Sequence, residues 1–94
     1  MAHRVVWSSR ALADVESIAS YIASDSPAYA QIVVKKIVNL TRRLSRFPHL
    51  GREVPEFQDH DLRELFAYSY RIIYQVGKDE VLITTVIHGK RNLI

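Results

Sequence analysis

Two runs near the end of the chain constrain its fold more than any other feature: YRIIYQV (70–76) and VLITTVIH (81–88), separated by GKDE (77–80). Tyr70, Ile72, Tyr74 and Val76 alternate with other residues, and so do Val81, Ile83, Thr85 and Ile87. That is the period of strands with one buried face. A four-residue loop joins such strands as an antiparallel hairpin. Pairing outward from the loop sets Val76 against Val81, Tyr74 against Ile83, Ile72 against Thr85, Arg71 against Val86 and Tyr70 against Ile87. This register predicts a second face that holds Arg71, Gln75, Thr84 and His88, with His88 diagonal to Arg71.

An apolar sheet face needs a cover, and the first half of the chain supplies one. HRVVW (3–7) reads as a short strand. Ala11, Leu12, Val15, Ile18, Ala19 and Ile22 follow at helical spacing after a serine pair that can cap, with Asp14 and Glu16 where the helix dipole favours acids. This helix is expected to end near Ser24. Ser26 and Pro27 open a second helix, whose stripe of Ala30, Val33, Val34, Ile37, Leu40, Leu44 and Phe47 runs until Pro48. The segment 48–61 has no sustained period and reads as a loop pinned by Leu50, Val54 and Phe57. LRELFAYS (62–69) is a short strand. The order β-α-α-β-β-β predicts a single α+β domain over 1–94, an αα-hairpin packed on an antiparallel sheet.

Charge is uneven along the chain. The net charge is +3, but residues 35–46 hold Lys35, Lys36, Arg42, Arg43 and Arg46 with no acid. Residues 53–64 hold five acids against Arg63. The basic side of the second helix reads either as a solvated face or as a rim for an acidic partner. There is no cysteine, hence no disulfide or thiolate metal site, which suits a reducing cytoplasm. No run approaches the roughly 20 apolar residues of a membrane span, and MAHRVVWSS turns polar too soon for a signal peptide.

One constellation could carry chemistry. Arginine clamps phosphates or carboxylates bidentately, and histidine moves protons near neutral pH. Arg71, His88, Lys90 and Arg91 could therefore cleave RNA, hold a partner or line a sheet rim. Arg71 could also pair with Glu64 on the neighbouring strand. His3, His49 and His60 show no metal-ligand spacing. GRE (51–53) and HGKR (88–91) lack the glycine density and following helix of phosphate loops.

FPHLGREVPEF, LRELFAYSYRIIYQV and VIHGKRNL in this order resemble the RelE/ParE superfamily of type II toxins, and its ParE branch in particular. The resemblance spans nearly the whole chain. It implies a helical hairpin across one face of a sheet, no cofactor, a cytoplasmic location and a cognate ParD-like antitoxin whose C-terminal segment wraps the toxin. It implies DNA contact only through that antitoxin, in a toxin–antitoxin hetero-oligomer. ParE-like members are described as inhibiting DNA gyrase by binding, without a catalytic residue. RelE-like members are ribosome-dependent mRNA endonucleases. Arg71 matches the third-strand arginine of the nucleases and Arg91 their later one, and His88 matches the histidine of some relatives. Leu62 and Glu64 stand where the nucleases carry lysines, and their C-terminal tyrosine has no counterpart. The resemblance thus favours no catalytic set, with Arg71, His88 and Arg91 as the alternative. The expected contacts with antitoxin or target are Arg63, Arg71, His88, Lys90 and Arg91. The antitoxin is expected to dock by apolar anchors, with its acids near Arg71, Lys90 and Arg91.

Overall fold

A computed structural model describes residues 2–93. The elements are β1 (Arg4–Trp7), α1 (Ser9–Ala23), α2 (Pro27–Arg43), β2 (Arg52–Glu53), β3 (Leu62–Ala67), β4 (Tyr70–Val76) and β5 (Glu80–His88). They form a five-stranded sheet in the order β1-β5-β4-β3-β2. The α+β class and the helical hairpin agree with the sequence reading. The sheet is mixed rather than antiparallel throughout, because β1 runs parallel to β5. A short β2, absent from the sequence reading, closes the other edge against β3.

The helices start where their caps dictate. Ser8 Oγ accepts from the Ala11 amide, and Ser26 Oγ accepts from the Tyr29 amide, with Pro27 in the first turn. These caps satisfy N–H groups that the helix itself leaves open. α1 ends at Ala23, as expected. α2 stops at Arg43, several residues before Pro48. There the backbone tightens, with Leu44, Ser45 and Arg46 each donating three residues back. Ser45 is tied to the residue before β1 instead: its carbonyl accepts from the His3 amide at 2.8 Å, and its hydroxyl donates to the His3 carbonyl.

The core lies between the helical hairpin and one sheet face. Ala11, Ile22, Ala30, Val33, Ile37 and Leu44 meet Ile72, Tyr74, Val76, Val81, Ile83 and Val86. Burial of such side chains is the main favourable contribution to folding, about 1.5–3 kcal/mol for each large one. Phe47, expected at the end of the α2 stripe, is exposed because the helix has already ended. Of the expected pins in the 48–61 loop only Val54 is buried; Leu50 and Phe57 are exposed. Gly51 holds the loop down in their place. Its amide donates to the Tyr74 hydroxyl at 2.9 Å, and a Cβ there would fall 2.2 Å from the Glu64 carbonyl oxygen, so only glycine permits this approach.

The hairpin register departs from the expected one at a single place. Val76↔Val81 and Tyr74↔Ile83 hold, but a bulge between Ile73 and Tyr74 leaves Thr84 as the extra residue of β5. Beyond it Ile72 faces Val86, Arg71 faces Ile87 and Tyr70 faces His88. One inserted residue exchanges faces. Val86, rather than Thr85 and Ile87, therefore completes the helix-side core. The bulge is fixed from outside the hairpin. The Ser8 hydroxyl donates to the Thr84 carbonyl, and Asp14 accepts from the Thr85 hydroxyl at 2.6 Å and the Val86 amide at 2.9 Å. Asp14 thus serves β5 beyond the end of β1, rather than the helix dipole expected from its position.

Candidate functional site

Arg71 sits on the sheet face away from the helical core, and its own chain saturates it. Its Nε donates to Glu64 Oε1 at 2.7 Å. Nη1 and Nη2 hold both oxygens of Glu56 at 2.8 Å, and Nη1 also reaches the Arg91 carbonyl at 2.9 Å. Glu64 receives a second cation, with Arg52 Nε 2.6 Å from its Oε2. The Arg52 guanidinium in turn lies 5.2 Å from the centre of the Phe66 ring. Glu56 also accepts from the Leu93 amide. The Arg71 side chain is only 5% exposed and that of Glu64 is fully buried. The guanidinium drives the Glu56 carboxyl down to about 2, and the two carboxylates raise Arg71 further above its ordinary value. Two arginines and two glutamates balance in charge and bind the 52–56 loop to the C-terminal segment.

His88 is on the opposite side. Directly paired residues share a face, and His88 pairs with Tyr70, their rings meeting edge-on at 5.8 Å. The expected diagonal between Arg71 and His88 is therefore a correction: the Thr84 bulge separates them across the sheet. His88 lines a groove with Ser17, Ile18, Tyr21 and Arg91. Asp14 borders it too. Burial alone would raise the Asp14 carboxyl, but hydrogen bonds from Thr85, Val86 and Arg10 outweigh that and hold it below its ordinary value.

Lys90 and Arg91 are exposed just past β5. Gly89 turns the chain there, its amide donating to the Ser69 carbonyl. The Lys90 amide lies 3.3 Å from His88 Nδ1, and the Arg91 amide donates to the His88 carbonyl. His88, Lys90 and Arg91 are thus brought together, and Arg91 lines both this groove and the one beside Arg71. Arg63 is not part of the group. It lies opposite Tyr74, where its Nε donates to the His60 carbonyl and its Nη1 to the Gly51 carbonyl.

A larger feature escaped the sequence reading. An apolar groove of about 900 Å³ runs along the helical hairpin, floored by Ala19, Ala23, Ala30, Val34 and Val38 and bordered by Lys35 and Arg42. The clue was Val34 and Val38, one turn apart and one position off the Val33–Ile37 core stripe. Apolar residues on a second helical face are what an unfilled groove requires.

The geometry can be set beside known proteins. A model of the ParE toxin of type II toxin–antitoxin system, parDE, matches residues 5–93. The chain belongs to the ParE toxin family. Relatives of this ParE-family chain carry both names of the superfamily. It is 35% identical over 89 residues to Toxin RelE2 of Caulobacter vibrioides, covering 94% of this chain and 97% of that one. It is 28% identical to Toxin ParE3 of the same organism, over 68% of this chain and 63% of the relative. A structure described as the chromosomal ParDE TA system from P. aeruginosa has the same fold, with a TM-score of 0.74 and 21% identity over 92% of this chain and 95% of that one. No helix among the described residues is long and apolar enough to cross a membrane.

Proposed function

We propose that this ParE-family toxin acts in the cytoplasm by binding and inhibiting DNA gyrase, and that a cognate ParD-like antitoxin neutralises it. The observation that carries this reading is the commitment of Arg71. A guanidinium held by two carboxylates and a carbonyl has no free fork for a scissile phosphate, and His88 faces the other way. Acid–base cleavage needs both groups within reach of one reacting centre. What remains exposed is suited to protein recognition.

The helical groove offers seats for the apolar anchors of an antitoxin segment, and Lys35 and Arg42 on its border suit flanking acids. This favours the acidic-partner reading of the basic α2 face. Lys90, Arg91 and His88 form a second positive margin for antitoxin or target, and Arg63 a separate, partly engaged one. Arg71 contributes by fixing the ground beneath Lys90 and Arg91. DNA is then met only through the antitoxin, in a toxin–antitoxin hetero-oligomer.

The name Toxin RelE2 on one relative keeps ribosome-dependent mRNA cleavage as the competing outcome. The test runs both assays on the purified chain. Gyrase supercoiling should be inhibited, while translated mRNA stays intact on ribosomes. Codon-specific cleavage that disappears in His88→Ala would replace the gyrase reading.

A further inference from the structure

The segment 48–61 has one buried apolar side chain, Val54, yet its two ends carry a convergent set of ligands. His49, His60 and Asp61 each offer one ligand atom, and these atoms lie within 4.8 Å of one another. His49 Nε2 is 3.0 Å from Asp61 Oδ1. The two imidazoles stack with centroids 5.0 Å apart. Glu53 Oε2 approaches His60 Nδ1 at 3.5 Å. We propose that this cluster is a Zn2+ site, with His49, His60 and Asp61 as ligands and Glu53 or water completing the shell. The inference does not depend on the gyrase reading.

The donor set selects the ion class. Two imidazoles and a carboxylate suit zinc and its transition-metal neighbours, whereas magnesium and calcium favour all-oxygen shells. The geometry is close. Bonds of about 2.0–2.2 Å in a tetrahedron place ligand atoms roughly 3.3–3.6 Å apart, so the present spread closes with side-chain shifts on the order of 1 Å. The side chains are free to make them: those of His49, Asp61 and His60 are 42%, 50% and 70% exposed. The backbone beneath is already set. The Leu50 amide donates to the Phe47 carbonyl and the Gly51 amide to Tyr74, while the Asp61 amide donates to Asp59 Oδ1 and the Leu62 amide to the Asp59 carbonyl.

One group opposes the ion. Arg63 Nη2 lies 2.9 Å from His60 Nδ1 and 3.3 Å from its Nε2. Zn2+ on His60 displaces Nη2 from the ring, while Arg63 keeps its bonds to the His60 and Gly51 carbonyls through Nε and Nη1. The ion would then join the two ends of a loop in a chain with no cysteine, a staple of the kind small domains use.

The test titrates the chelator-stripped, full-length chain with Zn2+ alone, by calorimetry and by thermal midpoint. One ion per chain should bind, with a midpoint that rises with free Zn2+. His49→Ala and His60→Ala should each weaken binding at least about tenfold, since even supporting groups at metal sites carry that much. Both residues are exposed, and circular dichroism confirms that the variants are folded. His3→Ala and His88→Ala should bind as the parent does. No saturable uptake, or uptake that survives the His49→Ala/His60→Ala double variant, would overturn the site. Equal loss in His3→Ala would also overturn it, as generic surface binding.

Discussion

The two faces of the sheet are held by different physics. On the helix side, Ile37, Ile72, Ile83 and Val86 pack as a continuous apolar layer, where neighbours share the consequence of any change. On the other side, Arg71 holds Glu56 and Glu64 beneath a loop and a terminal segment. That side depends on a few charges whose removal leaves others stranded. The comparison separates what a shape needs from what a pair needs. An apolar layer tolerates swaps that conserve volume, whereas a buried ion pair tolerates replacement of the whole set better than loss of one member.

The largest expected effect is Arg71→Ala. It leaves the fully buried Glu64 with only the exposed Arg52, and breaking such a pair costs about 3–5 kcal/mol. Urea denaturation measures it. The comparison sharpens if Arg71→Met combined with Glu56→Leu and Glu64→Leu recovers most of the loss.

Acid should weaken the charged face first. The Glu56 carboxyl ionises at about 2 in the fold, against an ordinary value of 4.5. A depressed carboxyl contributes its full stabilisation above its unfolded value and loses it as pH falls toward the folded one. The urea midpoint should therefore drop between about pH 4.5 and 2, and Glu56→Gln should flatten part of that drop. An equal drop in Glu56→Gln would break the assignment. The loss should stay below that of Arg71→Ala, since Glu64 still pairs the arginine.

On the apolar face, Ile72→Val removes one methylene from a fully buried site and should cost about 0.5–1.5 kcal/mol. A cost equal to that of Arg71→Ala would erase the distinction between the faces. Lys90→Ala, at an exposed position, should stay within about 0.5 kcal/mol of the parent.

The apolar face was largely legible in the sequence, because period-two and helical stripes with serine caps are local signals. Ser26–Pro27 and the Tyr70–Val76 alternation sufficed for it. The charged face was half legible. Glu64 could be paired with Arg71 because strand order makes them neighbours. Glu56 could not, because it lies in a loop without period, 15 residues away. The bulge at Thr84 has no glycine to mark it and is imposed by Ser8 and Asp14 from the other end of the chain. That long-range contact moved His88 across the sheet. β1 stayed hidden as a parallel partner for the same reason: its pairing with β5 joins residues at opposite ends of the sequence.

In the proposed function Arg71 serves the fold rather than chemistry or direct recognition. Arg71→Lys keeps the charge and loses the bidentate grip on Glu56. The decisive measurement is gyrase inhibition by this variant, normalised to its folded fraction at a temperature where circular dichroism shows native structure. Inhibition per folded molecule should match the parent while the thermal midpoint falls. A variant that keeps the parent midpoint yet no longer inhibits would contradict the account, because Arg71 would then act on the target itself.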